Sequence, residues 1–328
     1  MSAGGVVNGW AQRRGTAAGL ASAPMSADPM RAGGLDRIAE RFAEATVAGF
    51  YEDWKRDGLH LAEYAAEFVG TAFNVFWVVG IVSVMFGASS PAPHAIPSAF
   101  LRLFVLGLFL GGVSWLVALS PPGKLSGAHL NPAVSLGFWL LGKMHARDAA
   151  GYIVAQMAGA AVGALAGSAA FGQLANEVAH ATLHPGVGVG PLGATLGEVV
   201  ATFVLTFLVY TFLSHARLRP YTPPLAMLMV GVLIAIDGSY SGAGMNPARW
   251  FGPAFTLAYW HLFAVYIFGP VAGSTAAALS RRSGRLGPSM PHSGKIVHDR
   301  SYRSIFMHET APSTPPHSVH QKAMMHRR

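Results

Sequence analysis

Six long apolar runs, nearly free of charged residues, restrict what this chain can fold into more than any other feature. They cover residues 65–86, 99–119, 149–171, 192–213, 224–236 with its flanks, and 259–279. A helix of about 20 apolar residues crosses the ~30 Å hydrocarbon core of a bilayer. Because 52% of the 328 residues are hydrophobic and only 12% are charged, the sequence predicts an all-α membrane protein with six transmembrane helices.

The basic charge of the chain is concentrated in its C-terminal tail. Residues 281–328 contain nine Lys and Arg against two acids, and the formal net charge of the whole chain is +8. A basic tail beside a membrane fits the cytoplasmic excess of Lys and Arg better than a nucleic-acid-binding face, so no nucleic-acid partner is expected. The chain has no cysteine, which excludes a disulfide framework and a thiolate zinc site. No cofactor or metal is expected.

The loops between the runs predict the orientation in the membrane. Segments 87–98 and 172–190 contain no Lys or Arg, whereas the alternate loops carry Lys124, Lys143, Arg147, Arg217 and Arg219. By the positive-inside rule both termini face the cytoplasm, in either an internal membrane such as the vacuolar one or the plasma membrane. We predict a disordered N-terminal extension (1–58), a membrane domain (59–280) and a basic disordered tail (281–328).

The two halves of the membrane domain resemble each other. The stretch "AEFVGTAFNVF" (66–76) matches "GEVVATFVLTF" (197–207), and "SGAHLNPAVSLG" (126–137) matches "SGAGMNPARWFG" (241–252). Each half contains three spans, and because three is odd, the second half must enter the membrane from the opposite side. The halves are therefore predicted to form an inverted 3+3 repeat.

Each Asn-Pro-Ala box opens an apolar segment that is too short to cross a bilayer. Segments 131–141 and 246–257 hold about a dozen residues each, against about 20 for a spanning helix. Asn is a favoured N-cap, and Pro is favoured at the first helical position. Each box is thus predicted to start a re-entrant half-helix, and inverted symmetry brings the two N-termini together near the midplane. The box residues are Asn131, Pro132, Ala133, Asn246, Pro247 and Ala248.

Two helix N-termini that face one path favour neutral molecules over cations. Each N-terminus carries about half a positive charge, which repels cations and hydronium. The side chains of Asn131 and Asn246 each offer an amide donor to a passing oxygen. The preceding Ser-Gly-Ala stretches offer carbonyl acceptors. The pattern predicts a path for water and small uncharged solutes.

Together these features resemble the aquaporin, or major intrinsic protein, family. The resemblance rests on the two boxes, the six spans and the matched acids Glu67 and Glu198, and it covers about residues 60–280. The segment around the second box is most similar to the tonoplast intrinsic proteins. The family implies a right-handed bundle of six helices and two half-helices, a pore in every protomer, and a homotetramer. It also implies that Glu67 and Glu198 hold the backbone of the re-entrant loops.

The resemblance further implies a constriction built from four positions. One is the Arg that follows the second box, here Arg249, and ungapped spacing to the tonoplast group adds Ile234 and Ala243. Counting back from the first box adds Gly111, for which Leu110 or another neighbour is an alternative; Gly111 would then be a helix-packing glycine. A filter of Gly, Ile, Ala and Arg is wide, and it is expected to pass glycerol, urea and ammonia besides water.

Two function classes compete for this pattern. The first is a passive channel for water and small neutral solutes, and the alternative is a secondary transporter, since inverted repeats with broken helices occur there too. Two amide donors at the midplane, without a carboxylate cluster, favour the channel because coupling ions need acidic ligands. The sequence carries no nucleophile elbow and no P-loop, so an enzyme is not expected.

Overall fold

All regular structure that the computed structural model describes is helical. The model describes residues 58–284, 290–297, 299 and 301–306. The predicted N-terminal extension, residues 1–58, lies outside these residues except for its last position. The described part of the chain contains eight helices of nine residues or more: α1 (Leu61–Phe86), α2 (Ala99–Leu119), α3 (Pro132–Leu140), α4 (Ala146–Glu177), α5 (Pro191–Ser214), α6 (Thr222–Asp237), α7 (Pro247–Thr256) and α8 (Phe263–Arg282).

Six of these helices are long and apolar enough to cross a membrane, which confirms the predicted all-α architecture. They are α1, α2, α4, α5, α6 and α8, and a single 3₁₀ turn extends the fifth span back to Arg219. The observed α4 continues past the predicted end of its apolar run. Its backbone departs from helical geometry at Gly172, where φ is 49°. Glycine adopts this conformation readily.

The remaining two helices, α3 and α7, are the half-helices. They contain 9 and 10 residues, and at ~1.5 Å per residue each is about 15 Å long, half of the hydrocarbon core. Asn131 and Asn246 cap them from extended backbone, and a proline occupies the first helical position of each. The local chemistry of the two boxes therefore determines where both half-helices begin.

The helices pack as an inverted repeat. In the first half α1 packs mainly against α4, in the second half α5 packs mainly against α8, and α2 and α6 pack against each other between the halves. Each half-helix packs against the last long helix of the opposite half, α3 on α8 and α7 on α4. This exchange ties the two halves into one unit and brings both half-helices to its centre.

Glycines allow the paired long helices to approach each other closely. A Cβ added at Gly163 of α4 would lie 2.2 Å from the carbonyl oxygen of Ala72 in α1. A Cβ added at Gly273 of α8 would lie 2.4 Å from the carbonyl oxygen of Val199 in α5. In lipid, helix association depends on close packing between small residues rather than on burial from water. These glycines therefore permit the α1–α4 and α5–α8 contacts.

Part of the C-terminal tail packs against the membrane domain, which differs from the expected disordered tail. Among its described residues, Ile305 and Phe306 are fully buried and Lys295 is 1% exposed. The overall composition of residues 281–328 is basic and polar, so the sequence analysis did not identify a short segment within it that carries apolar side chains. That segment lies within residues 290–306, of which the structure describes 290–297, 299 and 301–306. Its described residues contact the end of the bundle where α1 begins and α5 ends.

We expect the substitution Gly163→Leu to destabilise the protein more strongly than a matched change on the outer face of the same helix. A side chain at position 163 must displace main-chain atoms of α1, whereas ordinary overpacking costs about 1–3 kcal/mol. Thermal unfolding in detergent measures the effect, with Ala158→Leu, at an exposed position of α4, as the control. Equal unfolding midpoints for the two variants would contradict the close α1–α4 contact.

Candidate functional site

A buried carboxylate of α1 holds the first re-entrant loop. Glu67 Oε1 accepts hydrogen bonds from Ser126 Oγ at 2.7 Å and from the main-chain N–H of His129 at 3.0 Å. Its Oε2 accepts from the N–H of Leu130 at 2.7 Å and from Gln156 Nε2 at 2.8 Å. The Glu67 side chain is 0% exposed. Four donors thus surround one carboxylate, and two of them are backbone groups of the loop.

The second loop repeats this arrangement with Glu198 of α5. Glu198 Oε1 accepts from Ser241 Oγ at 3.0 Å and from the N–H of Gly244 at 2.6 Å, and Oε2 accepts from the N–H of Met245 at 2.7 Å. The Glu198 side chain is also 0% exposed. Hydrogen bonds to a charged group are worth about 1.5–3 kcal/mol each. The two acids singled out in the sequence therefore contact the two loops directly and equivalently.

The loops need this support because their backbone is strained. Ala128 and Leu130 have φ angles of 54° and 52°, and their counterparts Ala243 and Met245 have 48° and 51°. Non-glycine residues held in this region cost on the order of 1–3 kcal/mol each. The unusual turns direct several N–H groups of each loop at its carboxylate and leave carbonyl oxygens on the other side. Each carboxylate therefore stabilises a loop conformation that the residues would not adopt alone.

The two box asparagines meet across the centre of the bundle. The Oδ1 of each accepts the main-chain N–H two residues further on, at 2.9 Å, and so caps its own half-helix. Asn131 Nδ2 donates to the carbonyl oxygen of Met245 at 2.8 Å, and Asn246 Nδ2 donates to that of Leu130 at 2.8 Å. An amide group carries two N–H donors. Each asparagine thus binds the opposite loop with one N–H and retains the other for a molecule beside it.

The other members of the boxes lie behind the asparagines. Pro132 and Pro247 begin the half-helices, while Ala133 and Ala248 are fully buried. Small side chains at these positions allow the two half-helix ends to pack against each other.

One cavity passes both asparagines. Its volume is about 160 Å³, far above the ~15 Å³ that holds one water molecule. Ile234 and Arg249 border one end of it, which we call the outer end. Ala128, Trp115 and Ile296 border the other, which we call the inner end. The wall is mainly apolar, with polar groups contributed chiefly by the two loops.

Arg249 presents unsatisfied donors beside the cavity. Its side chain borders the cavity and is 8% exposed, and its Nε and Nη1 have no hydrogen-bond partner among the described residues. A buried donor without a partner costs about 1–3 kcal/mol, and more when it is charged. A polar molecule at the outer end would relieve that cost. Arg249, which directly follows the second Asn-Pro-Ala box, therefore places a guanidinium beside the cavity.

The other predicted constriction residues occupy different places. Ile234 borders the cavity, whereas Ala243 is 0% exposed and packs beneath the wall. Its loop reaches the cavity through the next two residues, Gly244 and Met245. The positive φ of Ala243 accounts for this, because it turns the chain so that the alanine methyl faces the core.

Gly111 borders the cavity, and it also packs closely against α6. A Cβ added there would lie 2.6 Å from the Cα of Met227 in α6, so a side chain at this position would meet a helix and not an open space. The neighbouring Leu110 also borders the cavity and packs in one cluster with Ile234. Leu110 therefore brings a side chain of α2 to the cavity that Ile234 also borders.

Polar residues that the sequence analysis did not single out also border the cavity, among them Asn74 of α1 and Ser114 of α2. Asn74 Nδ2 donates to Ser114 Oγ at 2.7 Å. Both residues lie within long apolar runs. Polar side chains within spanning helices usually face the interior of the bundle, and that signal would have identified them. No group of three or more His, Asp or Glu suited to a metal occurs in the part of the chain that the structure describes.

Comparisons with known proteins agree with this geometry. Residues 55–280 match the family model described as major intrinsic protein. The chain is 34% identical over 231 residues to a probable aquaporin AqpM of Archaeoglobus fulgidus, covering 66% of this chain and 93% of that relative. It is 33% identical over 208 residues to the probable aquaporin TIP4-1 of Oryza sativa subsp. japonica, covering 62% of this chain and 80% of the relative.

A solved structure shares the fold. The X-ray structure of the aquaglyceroporin from Plasmodium falciparum matches with a TM-score of 0.55 at 22% identity, covering 67% of this chain and 95% of that one.

We expect Glu67→Gln to loosen the first re-entrant loop and leave the second unchanged. The amide keeps one acceptor oxygen and replaces the other with an NH₂ group, so one of the main-chain N–H groups of His129 and Leu130 loses its acceptor. Hydrogen–deuterium exchange in detergent should show at least about tenfold faster exchange at one or both of these amides, since a loss of about 1.4 kcal/mol changes an equilibrium tenfold.

The second loop serves as the internal control, because Gly244 and Met245 donate to Glu198 instead. Equal acceleration in both loops, or none in either, would show that Glu67 does not hold the first loop.

Proposed function

The chain belongs to the major intrinsic protein family and is an integral, multi-pass membrane protein, and on this premise we propose that it is a passive channel for water and small neutral solutes. The observation that carries the proposal is the cavity that runs between Asn131 and Asn246. Each asparagine keeps one N–H for a molecule in the cavity. The aligned half-helices add partial positive charge at the same point.

The distribution of charge along the cavity supports exclusion of ions and protons. Arg249 borders the outer end, and the two half-helix N-termini meet near the middle. Among the described residues that border the cavity there is no Asp or Glu. A secondary transporter coupled to Na⁺ or H⁺ would need such a group near the midplane. These features favour a channel over a coupled transporter, and nothing in them suggests catalysis.

We propose that the constriction of this channel is formed by Leu110, Ile234 and Arg249, with the backbone at Gly244 completing the ring. In this arrangement Gly111 and Ala243 support the constriction from behind. Two aliphatic side chains and one cluster of donors leave an opening that accepts glycerol, urea and ammonia as well as water. Asn74 and Ser114 add polar contacts further along the same wall.

The assembly and orientation follow from the membrane setting. Exposed apolar side chains such as Leu116 (65%), Val154 (69%) and Phe268 (59%) cover the outside of the bundle, where lipid or further copies of the chain would contact them. We propose a homotetramer with a pore in each protomer. We also propose that both termini are cytoplasmic, so that the inner end of the cavity faces the cytoplasm.

Stopped-flow light scattering of proteoliposomes tests the proposed function. Vesicles that contain the protein should shrink faster than empty vesicles in a sucrose gradient, and should then re-swell in glycerol or urea gradients. Flux should rise linearly with the gradient and be independent of Na⁺ and pH gradients. Saturable or ion-coupled flux would contradict the channel, and water flux without glycerol or urea entry would contradict the wide constriction. Because the chain has no cysteine, mercurials should not block it through a pore thiol.

We expect Leu110→Phe to separate the permeabilities for glycerol and water. A larger ring at this position beside the cavity narrows the constriction, and selectivity in such pores depends on diameter and wall donors. Glycerol permeability should fall about tenfold or more, while water permeability falls by less than about threefold. Leu116→Phe on the exposed face of α2 is the control and should change neither. An unchanged solute ratio in Leu110→Phe would remove Leu110 from the proposed constriction.

A further inference from the structure

A segment of the chain itself lies across the inner end of the cavity. Within residues 290–306, the N–H of His292 donates to the carbonyl oxygen of Leu213 at the end of α5, at 3.2 Å. The N–H of Ile296 donates to the carbonyl oxygen of Gly127 in the first re-entrant loop, at 3.1 Å. Only three residues, 293–295, separate these two anchors. The side chain of Ile296 borders the cavity.

Apolar contacts also anchor the segment. Val297 packs against the cluster at the end of α2 that contains Val117 and Ala118. Ile305 and Phe306 are 0% exposed, and the Phe306 ring lies 5.2 Å from the His129 ring, centre to centre. Burying a large apolar side chain contributes about 1.5–3 kcal/mol. The apolar side chains of the segment are therefore buried against the membrane domain and do not merely lie on its surface.

The segment also contacts the loop that presents the first asparagine. His129 Nε2 lies 2.7 Å from the carbonyl oxygen of Gly294, while its Nδ1 lies 3.0 Å from Ser135 Oγ in α3. A side chain at Gly127 would be strained, because its φ is 88° and an added Cβ would lie 3.0 Å from the Phe306 ring. The tail thus packs within two residues of Asn131.

Ion pairs complete the contact. Arg303 Nε lies 2.9 Å from Glu63 Oε1, and the Glu63 side chain is fully buried in the first turn of α1. Lys124 Nζ lies 3.0 Å from Asp299 Oδ2, in a pair that is about a quarter exposed. Lys295 Nζ donates to the carbonyl oxygen of Lys124 at 2.6 Å. Charges of the membrane domain and of the tail therefore complement each other.

We propose that residues 290–306 are a plug that the chain supplies to its own inner mouth: the docked segment closes the cavity, and its release opens it. The proposal rests on the proposed channel function, since only a conducting cavity has a flux to close. The occupant is a named part of the same chain, and its three anchors surround the inner end on α5, on the first loop and on α2.

Docking of the plug is opposed by the burial of a charge. Burial lowers the pKa of Lys295 to about 7, because an ammonium group loses hydration when it enters the protein. The Lys124–Asp299 pair, about a quarter exposed, contributes little to offset this cost, as partly exposed ion pairs are weak. The apolar contacts therefore work against a desolvation cost, which narrows the free-energy gap between the docked and released states.

A released variant of the full chain tests the proposal in one direction. Arg303→Asp combined with Ile305→Asp places a like charge beside Glu63 and removes a buried apolar anchor. If the segment is docked in about ten of eleven molecules, water permeability of proteoliposomes should rise about tenfold. Arg217→Asp combined with Leu218→Asp, at exposed positions outside the segment, makes the same change of charge and is the matched control, which should behave as the unaltered chain does.

A locked variant tests the opposite direction. The chain has no cysteine, so Lys124→Cys combined with Asp299→Cys provides two unique thiols where an ion pair now joins the tail to the membrane domain. A short bifunctional thiol reagent with a cleavable disulfide should lower water permeability to the level of empty vesicles, and a reductant should restore it. Each single-cysteine variant treated with the same reagent is the control. The double-cysteine variant keeps the apolar packing of the segment. It therefore tests the plug even if the released variant aggregates.

The outcomes separate the plug from the channel. Higher flux on release and reversible loss on cross-linking support the plug. Equal flux above that of empty vesicles in the unaltered, released and cross-linked proteins would overturn the plug and leave the channel standing. Flux no greater than that of empty vesicles in all of them, including folded released protein, would overturn the proposed channel itself.

Discussion

The fold depends on two carboxylates that satisfy backbone inside a membrane-spanning bundle. Unpaired N–H groups cost several kcal/mol in a medium without water, and the two re-entrant loops break helical hydrogen bonding at the depth where water is scarce. Glu67 and Glu198 accept those N–H groups and so make the breaks tolerable. Once the N–H groups are bound, the loop carbonyls are left to face the opposite asparagine and the cavity. The polar lining of an otherwise apolar cavity follows from this one interaction.

Because the two halves are an inverted repeat, a buried carboxylate holds a re-entrant loop in each of them. The differences between the halves make the two ends of the cavity distinct. The first loop is followed by Val134 and the second by Arg249, so that the guanidinium lies at the outer end only. The tail segment docks at the inner end only, beside the first loop. Two equivalent loops thus share one hydrogen-bonding scheme in the middle, while charge at one end and the tail at the other break the symmetry.

The sequence predicted the starts of the half-helices better than it predicted which residues face the cavity. The predicted half-helix starts lie where the structure has them, at Asn131 and Asn246, because capping and the fixed φ of proline act over two or three residues. Asn74 was not singled out and Leu110 was only an alternative to Gly111, because which side of a long apolar helix faces the cavity depends on helix rotation. In a chain that is apolar all round, periodicity carries little information about that rotation. The buried part of the tail was concealed in the same way, since its few apolar residues lie in a segment of polar and basic composition.

The sequence by itself determined the number of spans, the inverted order of the halves and the positions of the capped half-helices. Those properties depend on runs, repeats and local turns, and such features can be read along the chain. Only the tertiary structure decided that a side chain at Gly111 would meet α6, that Ala243 is buried in the core, and that Ile296 of the tail borders the cavity. These outcomes depend on contacts between residues far apart in sequence, where a few ångströms of helix rotation or one positive φ changes which group meets the cavity.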